Sequence, residues 1–214
     1  MNRICIAFTL AFYLTTFSSF GQATLGIGLV TINFDKADTF FFYKNPSDTA
    51  ANKSIEIIED QSSWTIRNSD KQVQWLNPEA LSIDNGFLIF RCKSIRKEWY
   101  EVVVNNKTGQ SYWIKQSGLM RYSNWCDFLK GMFGVERASD FRQKLCKEPI
   151  DNSDEIKYDG SDCFQVRSCN GDWIEIFTPE YCKEGYTDSK TIIESAWIKW
   201  RQGDNLLVTY FIDD

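Results

Sequence analysis

Residues 99–115 read Trp99-Tyr100-Glu101-Val102-Val103-Val104-Asn105-Asn106-Lys107-Thr108-Gly109-Gln110-Ser111-Tyr112-Trp113-Ile114-Lys115. Two β-branched and aromatic runs flank a polar stretch, 105–109, that ends in glycine; this is the pattern of a hairpin. Side chains alternate faces along a strand, so Trp99, Glu101 and Val103 share one side and Tyr100, Val102 and Val104 the other. The aliphatic set takes the core, which leaves tryptophan and glutamate on the outer face. On the second arm Ile114 points in, and Trp113 and Lys115 point out.

The same arrangement recurs downstream. Trp173-Ile174-Glu175-Ile176 repeats the W-x-E form, and Trp197-Ile198-Lys199 repeats Trp113-Ile114-Lys115 in the same order. The intervals between paired tryptophans are 14 and 24 residues, so the second copy carries a longer loop, at 179–190. Two related halves are therefore expected. Each would set a tryptophan pair and a Glu–Lys pair side by side on its outer face. An exposed Glu–Lys pair contributes only about 0.2–1 kcal/mol. Leaving an indole in water costs roughly 1.5–3 kcal/mol relative to burial. Something should cover those rings, either another segment of the chain or a ligand. Trp64, Trp75, Tyr112, Tyr122 and Trp200 would flank such a groove or fill the space between the halves.

Working outward, strands are expected at 25–34, 39–43, 54–59, 64–67, 72–76 and 87–92, then at 163–167, 172–177, 191–199 and 206–212. Turn signals separate them: Asn45-Pro46-Ser47-Asp48, Asp84-Asn85-Gly86 and Asn170-Gly171. The pattern changes once. Asn124 is placed to cap a helix bearing Trp125, Phe128, Leu129 and Met132 at i, i+3, i+4 and i+7. A second short helix is expected over 139–146, stopped by Pro149.

Bacterial SH3-like domains typically end on a W-Y-x-V strand, a turn, and a G-W-[IV] strand. Trp99-Tyr100-Glu101-Val102 followed by Gly109, Trp113 and Ile114 resembles that ending. Trp173-Ile174-Glu175-Ile176 followed by Ala196-Trp197-Ile198 resembles it again, with alanine in place of the glycine. The usual opening, R-x-G-P-S, is only faintly echoed by Tyr43-Lys44-Asn45-Pro46-Ser47 and is missing from the second half. The resemblance implies a mainly β fold of two small SH3-like barrels joined by a short helical connector. The divisions would be a first domain at 22–118, the connector at 119–150 and a second domain at 151–214. It implies no particular ligand, since such modules bind cell-wall peptides or partner proteins.

Several chemistries lack their residues. Histidine is absent from all 214 positions, which removes Ser-His-Asp and Cys-His catalysis and every histidine-based metal site. No C-x-x-C pair, G-x-G-x-x-G turn or phosphate loop is present. A net charge of −5 gives no footprint for nucleic acid. No cofactor or metal is expected. The reading is a non-enzymatic cell-envelope or secreted binding module, with a cell-wall peptide, a glycan or a partner protein as ligand. Peptidoglycan and envelope proteins are the expected partners. Its candidate ligand-binding residues are Trp99, Glu101, Trp113, Lys115, Trp173, Glu175, Trp197 and Lys199. Two alternatives are a carboxylate-dependent cell-wall hydrolase, whose retaining pair would stand about 5–5.5 Å apart, and a structural or inhibitory partner without a pocket.

The compartment follows from residues 1–21. Arg3 precedes an apolar run from Ile4 to Leu14, and small residues at Ser19 and Gly21 match a cleavage pattern. The run is too short to span a bilayer, which takes about 20 residues. An exported, soluble protein without a membrane anchor, periplasmic or secreted, is expected. Of the seven cysteines, Cys92, Cys126, Cys146, Cys163, Cys169 and Cys182 lie beyond that leader. In an oxidising compartment they support at least one disulfide within 163–182, with Cys163–Cys169 the tightest candidate. Protein purified from its native host should begin at Gln22 or at Ala23–Thr24. An intact mass that retains Met1 would contradict the export reading.

Overall fold

A computed structural model describes residues 24–212 apart from positions 62, 73, 142 and 184–191, so the leader and part of the 179–190 loop lie outside the described residues. The first half runs β1 (Gly28–Asn33), β2 (Asp38–Tyr43), β3 (Lys53–Asp60), β4 (Ser63–Ile66), α1 (Ser69–Gln72), β5 (Ala80–Ser82), β6 (Phe87–Arg96), β7 (Trp99–Asn105), β8 (Gln110–Lys115) and β9 (Met120–Ser123). After α2 (Trp125–Lys130) come β10 (Gly134–Arg137), β11 (Leu145–Cys146), β12 (Glu155–Ile156), β13 (Gln165–Asn170), β14 (Trp173–Phe177), α3 (Glu180–Lys183), β15 (Ala196–Lys199), β16 (Arg201–Gln202), β17 (Asn205–Leu206) and β18 (Val208–Phe211). The protein is mainly β. Among the described residues no helix is long and apolar enough to cross a membrane.

The first half is a curled sheet ordered β4-β3-β2-β8-β7-β6-β1-β9, with β5 added beside β6. The second is ordered β12-β11-β15-β14-β13. A bridge from Val135 to Phe164 brings β10 alongside it, and β10 pairs with β18. Laid side by side, β9-β1-β6-β7-β8-β2-β3 and β18-β10-β13-β14-β15-β11-β12 match strand for strand, in chain order and in antiparallel pairing. The duplication therefore reaches far beyond the W-x-E and W-I-K strands. The first half adds β4, α1 and β5; the second adds α3, β16 and β17.

Two apolar cores result, and they share a wall. Val30 and Ile32 of β1 and Leu88 and Phe90 of β6 face the first core, with Phe42, Ile55, Val102 and Ile114. Leu29 and Ile89, on the opposite faces of the same strands, enter the second core. There they meet Trp125, Phe128 and Leu129 of α2 and Ile174, Ile176 and Ile198 of the second half. A buried polar cluster crosses the same boundary. Glu79 accepts from Arg91 Nε at 2.5 Å, Asn106 Nδ2 at 2.7 Å and Tyr210 Oη at 2.6 Å. Burial, the Glu79 charge and the hydrogen bond to it all push the Tyr210 phenol upward.

Several expectations need correction. Residues 119–150 are not a helical connector. Met120–Ser123 closes the first sheet on β1, and Gly134–Arg137 and Leu145–Cys146 belong to the second half. Only α2 is helical as read, with the Asn124 side chain accepting from Asp127 N. Where a helix was expected over 139–146, Ser139–Phe141 forms a 3-10 turn and Leu145–Cys146 a strand, because Cys146 pairs with Trp197; Phe141 is half exposed. Where a strand was expected at 72–76, α1 ends and the chain turns.

The disulfides are Cys126–Cys169 and Cys163–Cys182, with Cα separations of 6.0 and 6.2 Å. The 163–182 expectation holds, but Cys163 does not join Cys169. Those residues lie along one extended segment, which at about 3.3 Å per residue carries them too far apart to bond. Cys92 and Cys146 are free and buried. Burial, aided by the Glu101 charge, pushes the Cys92 thiol up to about 12 against its hydrogen bond to Ser94, so it is inert as a nucleophile.

Halves that share β1 and β6 unfold together. Urea should give one transition by tryptophan fluorescence and circular dichroism alike. Glu79→Ala, which removes the carboxylate shared by Arg91, Asn106 and Tyr210, should lower stability by about 3–5 kcal/mol without splitting that transition. Two resolved transitions in the parent protein would show the halves to be independent.

Candidate functional site

Both halves place the repeated residues in the same register. Trp99 lies opposite Lys115 and Glu101 opposite Trp113. Trp173 lies opposite Lys199 and Glu175 opposite Trp197. The inner set is buried as expected: Tyr100, Val102 and Ile114 in one core, Ile174, Ile176 and Ile198 in the other. All four tryptophans are half-buried on the outer face.

The hairpin that delivers each glutamate is also duplicated. Its two-residue turn begins on a left-handed residue, Lys97 (φ 53°) in one half and Gly171 (φ 58°) in the other. A bulge then interrupts the pairing, between Cys92 and Ser94 and between Val166 and Ser168. A bulge breaks the strict alternation of a strand. Here it brings two consecutive residues, Lys93-Ser94 or Arg167-Ser168, onto one carboxylate.

Glu101 accepts from Lys93 Nζ at 2.8 Å, Ser94 Oγ at 2.9 Å and Ser111 Oγ at 3.0 Å. Glu175 accepts from Arg167 Nη1 at 3.2 Å, Ser168 Oγ at 2.8 Å and Ser195 Oγ at 2.8 Å. The two networks match donor for donor, with Ser111 inside β8 and Ser195 immediately before β15. Burial alone would raise the Glu101 carboxyl, but Lys93, Ser94 and Ser111 together outweigh it and hold it below its ordinary value. Ser168 and Ser195, with Arg167, hold Glu175 down in the same way against a smaller cost of burial. With three donors each, the two carboxylates tie neighbouring stretches of the sheet together.

The Glu–Lys pairs expected between Glu101 and Lys115 and between Glu175 and Lys199 are replaced by these bulge partners. Lys115 sits 3.8 Å from Glu98, and Lys199 sits 2.5 Å from Asp151. The ring environments differ between halves. Tyr43, opposite Trp113, meets Trp99 edge-on at 5.2 Å. Its place in the second half is taken by Cys146, and there the Lys199 ammonium lies 5.3 Å from the Trp173 ring centre. Trp99 and Trp113 are thus diagonal neighbours across the strand pair. The rings considered for a groove fill cores instead. Trp75 and Tyr112 are buried in the first and Trp200 in the second, Trp64 packs on Phe34, and Tyr122 stacks on Tyr100.

Two pockets adjoin the outer faces. One of about 250 Å³ lies between β2 and β8, lined by Asp38, Phe41, Tyr43 and Lys115 among others. The other, about 610 Å³, is lined by Arg167, Phe177 and Ser195 among others. Elsewhere Glu136 is the one described carboxyl shifted upward, by burial and then by Asp162. Asp162 itself is clamped by Arg137 in a nearly buried ion pair. Among the described residues no group of three or more His, Cys, Asp or Glu is placed to hold a metal.

The sequence reading missed Lys93, Ser94, Ser111, Arg167, Ser168, Ser195 and Tyr43. Six of these were legible: a basic residue and a serine precede each W-x-E at the same distance, and a serine stands two before each W-I-K tryptophan. No protein family, no curated protein and no solved structure matches the chain.

Removing either glutamate should be costly. Glu101→Ala should destabilise by about 2–3 kcal/mol in urea unfolding, and Ser94→Ala by about 1 kcal/mol. Glu175→Ala should cost less, because Arg167 is half exposed and its charge is screened. A Glu101→Ala change within about 0.5 kcal/mol of the parent would show that the network does not stabilise the bulge.

Proposed function

We propose that this protein is an exported, non-enzymatic binding module of the cell envelope, built from two SH3-like halves, that holds its ligand on the outer aromatic faces. The observation that carries this reading is the placement of Trp99, Trp113, Trp173 and Trp197. Each is half-buried on the face away from the aliphatic core, at the same register in both halves. The glutamates fix the bulge and the inner aliphatics fill the cores, so fold stability accounts for those positions. It does not by itself call for large, partly exposed indoles at both outer sites. Aromatic platforms with a few polar neighbours suit extended peptides and sugars. Cell-wall peptides, glycans or an envelope protein are therefore the ligand classes proposed.

Export is supported by the sequence of residues 1–21 and is compatible with two disulfides in the described chain. A non-enzymatic reading is supported by the three donors that occupy each repeated acid and by the absence of histidine.

The test is a pulldown of the leader-free protein against peptidoglycan and envelope extracts. Trp99→Ala and Trp173→Ala variants run beside it, each checked for an intact fold. Recovery of a specific ligand that falls at least about tenfold in one variant would bear the proposal out. Equal recovery by parent and both variants would place the binding surface elsewhere.

A further inference from the structure

Strands β1 and β10 hold the same place in their halves, and each turns one face to its own core. The other face of β1 is covered, with Leu29 fully buried in the second core. The matching face of β10 carries Gly134, opposite Phe211 of β18, and Glu136, opposite Thr209. Tyr181 of α3 reaches this face; its ring stacks on Phe133 at 4.5 Å and its phenol donates to the Phe133 carbonyl. The Cys163–Cys182 disulfide ties α3 to the chain just ahead of β13. Between them lies a cavity of about 290 Å³, lined by Phe133, Gly134, Glu136, Cys163, Tyr181 and Phe211 among others. Its rings are incompletely covered, since Tyr181 and Phe211 are each 41% exposed. Gly134 keeps the space open. A Cβ there would stand 3.6 Å from the Phe211 ring and 4.0 Å from the Tyr181 hydroxyl, at ordinary contact, so a larger side chain would fill the gap between those rings.

One charged group lines this cavity, the Glu136 carboxylate. Among the described residues nothing donates a hydrogen bond to it, and the charge that acts on it is that of Asp162. The cations of the lining elements are engaged elsewhere: Arg137 of β10 clamps Asp162, and Lys183 of α3 pairs with Glu180. Burial and Asp162 raise the Glu136 carboxyl, a cost that a cation beside it would offset. We infer that the cavity binds a small organic ammonium ion, with its apolar ring among Tyr181, Phe211 and the disulfide and its N–H donors on Glu136. Aromatic rings attract a cation and take up hydrocarbon alike, and one carboxylate among them sets charge and orientation. The volume suits a single ring on a short arm, which makes the occupant a free molecule; a lysine chain would bring no ring to the aromatic walls. The site shares no residue with the outer tryptophan faces, so it stands apart from the function proposed for them.

Nuclear magnetic resonance of the backbone amides, with phenethylamine as probe, tests this directly. The Gly134 and Glu136 signals should shift on titration while those of Trp99 and Trp173 stay in place. Phenylacetate offers the same ring with the opposite charge, and phenylethanol the same shape without charge. Each should bind at least about tenfold more weakly than phenethylamine. Glu136→Gln should bring phenethylamine down to the level of phenylethanol. Gly134→Val should abolish binding of phenethylamine and phenylethanol alike by filling the cavity, so the inference does not depend on one variant folding. Failure of phenethylamine to shift Gly134 and Glu136, equal binding of phenylacetate or phenylethanol, or undiminished binding by Glu136→Gln would overturn it. N-acetyl-lysine methylamide binding as tightly as phenethylamine would overturn the free ligand and give the cavity to a side chain of a partner protein.

Discussion

A carboxylate held by two serines and a cation is the contact on which each half turns. It sits where a sheet is weakest, at a bulge that leaves one residue of the ladder unpaired. Glu101 and Glu175 close that gap by drawing donors from the strand before and from Ser111 in, or Ser195 just ahead of, the strand after. With the bulge fixed, the register of β6 against β7 and of β13 against β14 follows. A slip of one residue would send Val102 or Ile176 to solvent and both tryptophans to the core. The same interaction that fixes the fold thus decides which rings face outward.

The second constraint is the shared wall. Most strands at a sheet's solvent face alternate apolar with polar, as Trp99–Asn105 does at its start. Strands β1 and β6 carry apolar residues on both faces, with Leu29 and Ile89 turned to the second core and Val30, Ile32, Leu88 and Phe90 to the first. The first half therefore completes the second. The Glu79 cluster adds direction to that contact, since Tyr210 reaches Glu79 only when the halves meet in one orientation.

How much of this was legible depended on whether the signal was local. The strand faces around Trp99 and Trp173 could be read because alternation is a property of the backbone, and the Asn124 cap because it is satisfied within one turn. The span 139–146 was misread because Phe141 and Leu145 at helical spacing are indistinguishable, locally, from a turn followed by a buried edge strand. What decided it was the pairing of Cys146 with Trp197, about fifty residues away. The disulfides failed in part for the same reason, since Cys126 meets Cys169 only through the docking of α2 on β13. At the site, the glutamates were seen but their partners were assigned by a straight-strand picture. That picture sends neighbouring residues to opposite faces and so hides Lys93-Ser94 and Arg167-Ser168 from one carboxylate.

These networks have a sign that can be measured. A carboxyl whose pKa is lowered by folding contributes stability above its unfolded value, and the contribution is lost as pH falls through the folded one. Following the side-chain carboxyl carbons of Glu101 and Glu175 by nuclear magnetic resonance during an acid titration reports the folded values directly. Both should titrate below about 4.3, the ordinary value for glutamate, and in parallel, as copies of one structural unit. If either carboxyl titrates at or above that value, the bulge is not held by its glutamate and the common origin of the two outer faces loses its physical basis.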